Sequence, residues 1–588
     1  MKTRKFINQT LDLVTSKDKK KLLIAIPVSI LLSLLDLLGV ILLGTLGTFS
    51  FKLLSGDTKP TRLELILKSF LPMELPQINF MIIISVSAIA LLILKTLSQL
   101  YFNFKLSRFL AEQESIISIN LFQKILHSNS RKVLSSSVTE YQYALLTGSA
   151  RLVSSVLGGL LTAFTDGINI LIMGFFAFLI SPAAFFGTLF VFLIVYFLSG
   201  RFIKNKAEEY GYQSQKYSMI AHGSVVESIR GFKELKVYDK VGEAINTFSS
   251  ARSNLSLINQ KTSWLSTVLK YVFEISILIS AMACGAILIL TTDARKTITI
   301  VVIFLAMGFR LIPSIQRLIN VFIGFRVIIG SSQQLFYFNE KFNDSFVENN
   351  THPIDKKNNT LESIILSDVS LENPDKTKRP ILSNINLELK IGNVVALIGQ
   401  SGSGKTSLAD LIIGLNAPTS GEISYNIQGQ AIDSKFISKG YVNQNPAMYG
   451  ESLFENISFG VRNKPIDVEK IVEILKNLNL TDFIRVDEGL IKSREISIDS
   501  TNISGGEKQR IAIARALYAD SKVIVLDEPS SALDKVSQGL LINAIKKIKQ
   551  NRIIIIITHS DRLTSECDYV IELKSGRVIN KYKNINYS

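Results

Sequence analysis

Eight consecutive residues carry the clearest chemistry in the chain: Gly399-Gln400-Ser401-Gly402-Ser403-Gly404-Lys405-Thr406. They fit G-x-x-x-x-G-K-[ST], a loop whose glycines let backbone N–H groups close around phosphate oxygens. The apolar run 394–398 before it reads as a buried strand, and residues 407–413 read as the first turns of a helix. The N-terminus of that helix, Ser407 included, adds N–H groups and a positive dipole end to the cradle. Lys405 is placed to reach the β- and γ-phosphates of a bound nucleotide, and the Thr406 hydroxyl to hold Mg²⁺.

Farther along, an apolar run over residues 523–526 ends in Asp527 and Glu528. Asp527 can hold Mg²⁺ through water, and Glu528 can polarise the water that attacks the γ-phosphate. Phosphoryl transfer needs chiefly positioning and charge stabilisation, and this pair supplies part of both. Ser504-Gly505-Gly506-Glu507 opens another helix, which makes a second anion site from backbone N–H groups. Two phosphate sites for one nucleotide are most simply explained if the second serves the P-loop of another copy.

The P-loop, Ile503-Ser504-Gly505-Gly506-Glu507, the Asp527-Glu528 pair, Ser531-Ala532-Leu533-Asp534 and Thr558-His559 follow one another in an order that resembles the ATP-binding cassette (ABC) family. Gln444, in Tyr441-Val442-Asn443-Gln444, matches that family's Q-loop. The resemblance implies that two cassettes pair head to tail around two ATP molecules. It also implies that Gln444 responds to Mg²⁺ and to the membrane helices, and that His559 contacts the γ-phosphate. Two departures stand out: Asn373 falls where the family has an aromatic residue against adenine, and residues 498–502 replace a glycine- and glutamate-rich loop.

These loops need an α/β P-loop domain to hold them, and strands alternate with helices from residue 361 to 588. The preceding residues 1–338 are of another kind. Six apolar spans fall at 22–48, 80–100, 152–180, 183–198, 268–290 and 298–319, most of them long enough to cross a ~30 Å hydrocarbon core. The polar stretch 339–360 reads as a linker. The net charge of +16 over 588 residues suits either a nucleic-acid partner or basic flanks of membrane spans. Lys and Arg gather at the N-terminus and in the loops 101–151 and 201–267, which places those segments and the ATP domain on the cytoplasmic side and argues against nucleic acid. Both loops pattern as helices, with 137–141 and 231–238 as short transverse elements that could touch the ATP domain. Ile7, Leu11 and Val14 predict a short amphipathic helix on the membrane surface, entering an uncleaved first span, and Leu63, Ile66, Leu67 and Phe70 another in the outer loop 49–79. Cys284 and Cys567 lie far apart and read as packing residues.

Asp36, Lys95, Asp166, Glu274, Arg310 and Arg317 sit in or beside the apolar spans, where an unpaired charge costs ~2.5–3.5 kcal/mol. They either line a path that attracts an anion or pair to hold helices together. Six spans and one cassette resemble an exporter-type half-transporter, which implies a dimer, homodimeric or with a different partner. The outer loop, the segment 308–317 and Glu234-Leu235-Lys236 resemble bacterial lipid-linked oligosaccharide flippases. The expectation is a multi-pass protein of the bacterial inner membrane, moving an amphipathic anionic cargo across the bilayer. A peptide or drug exporter, and a nucleotide-gated channel or regulatory subunit, are the alternatives.

Overall fold

The structure is a computed structural model. It describes the chain apart from residues 1, 56–76, 292–293, 344–360, 374–378, 428, 435–436, 450–451, 460–464, 488–489, 497–501, 531–532, 534 and 585–588. The outer-loop helix expected at 63–70, most of the linker, Ser531, Ala532 and Asp534, and residues 498–501 therefore lie outside the described residues. The chain divides into two compact units: Met1–Ser128 with Lys132–Val347, and Asn129–Arg131 with Glu348–Ser588.

The first unit is helical. α1 (Lys2–Asp12) and α2 (Ser16–Ser55) are followed by α3 (Gln77–Leu126) and two short helices, α4 (Ser130–Leu134) and α5 (Val138–Gln142). A helical run through Tyr143–Gly158 then leads into α6 (Gly159–Ile180). α7 (Pro182–Arg230), α8 (Phe232–Val237), α9 (Val241–Thr291), α10 (Ala294–Ser331) and α11 (Gln333–Lys341) complete the unit. The six apolar spans each lie in a long helix, and within the described residues five helices are long and apolar enough to cross a membrane. At ~1.5 Å per residue the 50 residues of α3 and 51 of α9 far exceed a bilayer core, so these helices run on as polar extensions. The run after α5 contains two π-helical segments, Tyr143–Gly148 and Val153–Gly158, where the ladder widens by one residue per turn. The transverse segments 137–141 and 231–238 do form short helices, and Ser137 and Glu140 close a capping box on α5.

α1 departs from the surface-helix expectation. Phe6 on α1 and Val14 in the turn after it are buried, and Phe6 packs with Leu152, Val156, Phe325 and Ile328 and meets the Phe336 ring edge-on at 5.2 Å. Its apolar face is thus covered by protein, because the extended helices offer a hydrophobic wall below the span.

α7 and α10 cross unusually closely. A Cβ on Gly211 would overlap the Val327 carbonyl, and one on Gly330 would overlap the Glu208 carbonyl and approach Tyr212 N at 2.7 Å. Small residues at a helix crossing let backbones touch, the usual device where lipid gives no hydrophobic drive to association.

The second unit is α/β. β1 (Leu361–Leu371), β2 (Leu382–Lys390), β4 (Ser420–Ile427) and β5 (Gln430–Ile432) form an antiparallel sheet in the order β2-β1-β4-β5. β3 (Val394–Ile398) enters α12 (Lys405–Ile412), and β6 (Lys439–Val442) precedes α13 (Leu453–Ser458) and α14 (Val468–Asn477). A hairpin of β7 (Ile484–Asp487) and β8 (Leu490–Ser493) leads towards α15 (Gly505–Tyr518) and β9 (Val523–Asp527). α16 (Lys535–Ile548), β10 (Ile553–Ile557), α17 (Asp561–Thr564), β11 (Tyr569–Lys574) and β12 (Arg577–Lys583) follow. The main sheet runs β12-β11-β3-β10-β9-β6. β10 is five consecutive isoleucines, all buried, as expected of a parallel strand covered on both faces. Ile554 and Ile556 face one core cluster, and Ile553, Ile555 and Ile557 the other. Cys567 is buried, its Sγ 3.1 Å from Leu563 O and its thiol pushed up to about 12 by burial, which agrees with a packing role.

The glycine crossing makes a sharp expectation. Gly330→Ala should destabilise the first unit by roughly 2 kcal/mol or more, since the backbone must move apart to admit the methyl group. Gly167→Ala, on the same kind of helix but with nothing within 4 Å of the added Cβ, should be neutral or stabilising by up to about 1 kcal/mol. Thermal unfolding of the two full-length variants in detergent checks the contrast.

Candidate functional site: a nucleotide cradle at the carboxyl end of a parallel sheet

The register of the main sheet brings the motif residues to one edge. Ile557 pairs with both Leu397 and Asp527, and Val442 pairs with Leu526. The loops that leave β3, β10, β9 and β6 therefore emerge side by side, at the end where open α/β sheets bind ligands. Those loops carry Gly399–Gly404, His559, Glu528 and Gln444.

Gly399, Gly402 and Gly404 have φ of 142°, 78° and 102°, in the region L-side chains avoid. A Cβ at Gly399 would overlap the Leu573 carbonyl, and one at Gly404 would lie 2.8 Å from a Leu382 methyl. Inside the resulting bowl, the buried Ser403 Oγ has no hydrogen-bond partner. Lys405 Nζ donates to the carbonyls of Gly399 at 2.8 Å and Gln400 at 3.0 Å, while burial holds its ammonium below the ordinary lysine range. Gln400, Ser401 and Gly402 are exposed on the rim; Thr406 is exposed in the first turn of α12, with Ser407 beside it. A curled backbone, an orphan hydroxyl and a desolvated cation form a surface that fits a phosphate chain.

The acidic edge faces this bowl. Burial raises the Asp527 carboxyl above its ordinary range, and Tyr441 Oη donates to Asp527 Oδ2 at 2.9 Å. Glu528 adopts φ of 44°, held there by its N–H donating to Ile557 O at 2.9 Å. Gln444 Nε2 donates to Glu528 Oε2 at 2.8 Å, and His559 Nε2 lies 3.7 Å from Glu528 Oε1. Gln444, Glu528 and His559 thus form one chain of contacts, and Thr406 and Asp527 supply oxygens suited to Mg²⁺. Ser504 caps α15: its Oγ accepts from Glu507 N at 3.3 Å while Glu507 Oε2 accepts from Ser504 N at 2.7 Å. The Ser504 hydroxyl serves its own helix, and Gly505 and Gly506 open the first turn, whose N–H groups have no partner within the helix. Asn373 lies two residues beyond β1, half-buried.

In the first unit the charges expected either to pair or to line a path are paired, and five of them border one cavity. Lys95 Nζ lies 2.8 Å from Asp36 Oδ2. Arg317 grips Asp166 with Nε to Oδ2 at 2.8 Å and Nη2 to Oδ1 at 2.6 Å. Arg310 Nη1 reaches only to 3.8 Å from Asp36 Oδ1, an oxygen that is buried without a hydrogen bond. All five line a cavity of about 330 Å³ together with Asn169 and Ser314. Glu274 instead meets Lys270 on its own helix at 3.7 Å.

Residues 382–531 match the ABC transporter family. This cassette is an ABC transporter domain. The fold over nearly the whole chain is that of an ABC exporter: a bacterial Atm1-family ABC exporter with ATP bound superposes with a TM-score of 0.73 at 18% identity, covering 97% of this chain and 96% of that one. A sophorolipid transporter of Starmerella bombicola is 33% identical over 37% of this chain and 18% of its own length. A lactococcin-G-processing and transport ATP-binding protein of Lactococcus lactis is 28% identical over 67% of this chain and 54% of its own. An ATP-dependent lipid A-core flippase of Colwellia psychrerythraea is 29% identical over 60% of each. The chain thus spans less than two thirds of the length of each of these three relatives.

Three residues of the ABC cassette escaped the sequence reading. Tyr441 bonds to Asp527; Gln509, buried in α15, donates to Gln444 O at 3.4 Å; Arg515 donates to Asn456 O at 2.8 Å and Ala447 O at 3.2 Å. The first stands within the quoted Q-loop stretch, but its role depends on the β6–β9 register. Asp410 on α12 is a fourth. Burial, with Asp527 adding repulsion, pushes its carboxyl from 3.8 to about 6. A raised carboxyl pKa penalises the folded state wherever the acid must ionise: the penalty is absent below about pH 4, grows from there to about pH 6, and is complete above. Asp410→Asn should therefore stabilise the nucleotide-free cassette at pH 7 to 8, with the gain shrinking as pH falls from about 6 to 4. Thermal unfolding of the full chain across that range checks the sign.

Proposed function

We propose that the chain is one half of an ATP-driven exporter, in which two copies, or this chain and a related partner, close around two ATP molecules. The observation that carries this is the convergence of the P-loop, Gln444, Asp527-Glu528 and His559 at one sheet edge, on a chain that also bears long apolar helices. Gly399 to Ser407 would hold the triphosphate, Lys405 turning from its own carbonyls to the β- and γ-oxygens. Thr406, Asp527 and Gln444 would hold Mg²⁺, which when bound draws charge from the phosphates. Glu528 would accept the proton of the attacking water, with His559 and Gln444 fixing its carboxylate on either side. Ser504, Gly505, Gly506 and Glu507 of the second copy would complete each site from across the dimer. ATP binding would close the cassettes and turn the membrane unit outward, and hydrolysis would reset it.

The cargo reading is an anionic amphiphile of the lipid-linked oligosaccharide type, moved across a bacterial inner membrane. Its support is the charged cavity, where three cations face two carboxylates and Arg310 is the least neutralised. Two of the relatives are named for a sophorolipid and for lipid A-core. Peptide export is the second reading, favoured by the Lactococcus relative, which is named for lactococcin-G.

Glu528→Gln should keep ATP affinity while ATPase activity falls by a factor of about 10² or more, because positioning survives and the proton acceptor is lost. Lys405→Ala should lose ATP binding; nucleotide-binding titrations and phosphate release on the purified dimer separate the two, and full turnover in the glutamine variant would refute the assignment. In liposomes, Arg310→Ala should weaken stimulation of ATPase by a polyprenyl-pyrophosphate glycan about tenfold or more. Stimulation by peptides and not by that lipid would favour the second reading.

A further inference from the structure

The two carboxylates at the end of β9 are held by different partners. Glu528 is met by Gln444 and His559. Asp527 is met by Tyr441, whose Oη donates to Oδ2 at 2.9 Å. Among the described residues Tyr441 is the sole hydrogen-bond donor to the Asp527 carboxylate, and Oδ1 accepts no bond.

Strand register explains how a tyrosine reaches this group. Tyr441 on β6 pairs with Val525 on β9, so it shares a face of the sheet with Val523, Val525 and Asp527. Val523 and Val525 pack in one core cluster with Leu408, Leu411 and Ile412, so that face is the one α12 covers. Ile524 and Leu526 pack with Val442 in the other cluster. Thr406 stands in the first turn of α12. Asp410, four residues on, is near enough to add its charge to the field at Tyr441 and at Asp527. The Tyr441 hydroxyl therefore bonds Asp527 on the side of the sheet where the helix bearing Thr406 begins. Tyr441 is 37% exposed while Val442 beside it is fully buried, so core packing does not account for the ring.

We propose that Tyr441 is a positioning residue for Mg²⁺: its hydroxyl holds one oxygen of Asp527 and leaves the other for the metal or its water. The inference rests on the reading of Thr406, Asp527 and Gln444 as the residues that hold Mg²⁺ beside ATP. A carboxylate turns about a broad, two-fold terminal torsion, and a donor at one oxygen removes that freedom. A phenol does this with a single hydrogen and, unlike Lys, adds no positive charge that would repel the metal. Outer partners that fix a ligating side chain are typically worth about 10–100-fold in metal affinity.

The test uses the full-length dimer in detergent, with Mn²⁺ as the probe and Glu528→Gln in every binding sample so that ATP persists. With protein in excess over ATP, Mn²⁺ binding is followed by loss of the free-ion EPR signal. Glu528→Gln alone should bind Mn²⁺ only when ATP is present. Adding Tyr441→Phe should weaken that binding about tenfold while ATP affinity in EDTA stays within about twofold. In an Asp527→Ala background Tyr441→Phe should bring no further loss, because the hydroxyl acts through Asp527 alone. With Glu528 intact, Tyr441→Phe should raise the Mg²⁺ concentration that half-activates ATPase by about the same factor. Unchanged Mn²⁺ affinity in Tyr441→Phe, or an equal loss in the Asp527→Ala background, would overturn the positioning role while leaving the ATP site standing. Loss of ATP affinity in EDTA would overturn it too, since that marks a role in the fold and not at the metal. Absence of ATP-dependent Mn²⁺ binding in Glu528→Gln alone would overturn the Mg²⁺ reading and this inference with it.

Discussion

Asp166 receives two hydrogen bonds from Arg317, and Asp36 lies 2.8 Å from Lys95. On helices this apolar each of these buried carboxylates meets a cation, and leaving one of the partners alone would cost about 3–5 kcal/mol. The pairs fix which helices are neighbours: Asp36 on α2 calls for Lys95 on α3, and Asp166 on α6 calls for Arg317 on α10. Neutralisation is incomplete, with Arg310 still 3.8 Å from a carboxylate oxygen that has no hydrogen bond. The cavity is the space these pairs enclose, so its net positive character follows from the same arrangement that holds the bundle together.

The cassette obeys the same constraint with different partners. Among the described residues no carboxylate lies close enough to bond the buried Lys405, and its ammonium donates to two carbonyls of its own loop. Those carbonyls are available because Gly399 and Gly404 take backbone angles other residues resist. The parallel strands β3, β10, β9 and β6 then supply rigidity: once Ile557 is registered against both Leu397 and Asp527, the spacing between the phosphate bowl and the carboxylates is set. The geometry of this edge is a property of strand register more than of any one loop.

Much of this was legible in the sequence, and the pattern of what was not is physical. The P-loop, Asp527-Glu528, Gln444 and the Ser504–Glu507 cap are local motifs, whose chemistry depends on residues a few positions apart. Hydropathy placed all six spans in helices, but it could not mark where α3 and α9 end, because a membrane helix can leave the apolar region as a polar helix with no break in its backbone. Tyr441, Asp410, Gln509 and Arg515 were silent for another reason: the partner of each is brought close only by tertiary packing, far away in the chain. The pairing of Asp36 and Asp166 was open for the same cause. α1 was read from its periodicity as a surface helix; periodicity reports that one face is covered, not whether lipid or Phe325 and Ile328 cover it.

The contact of α7 with α10 has a mechanical consequence. Side chains between two helices act as deformable spacers that let one roll or slide past the other. At Gly211 and Gly330 there are none, and main chain rests on main chain. Any rolling or sliding there would drive carbonyl oxygens into the neighbouring backbone, so these two helices must travel as a single strut. If the membrane unit changes shape during a transport cycle, the strain has to be absorbed by α9 and by the π-helical run, whose widened turns already depart from the regular helical ladder.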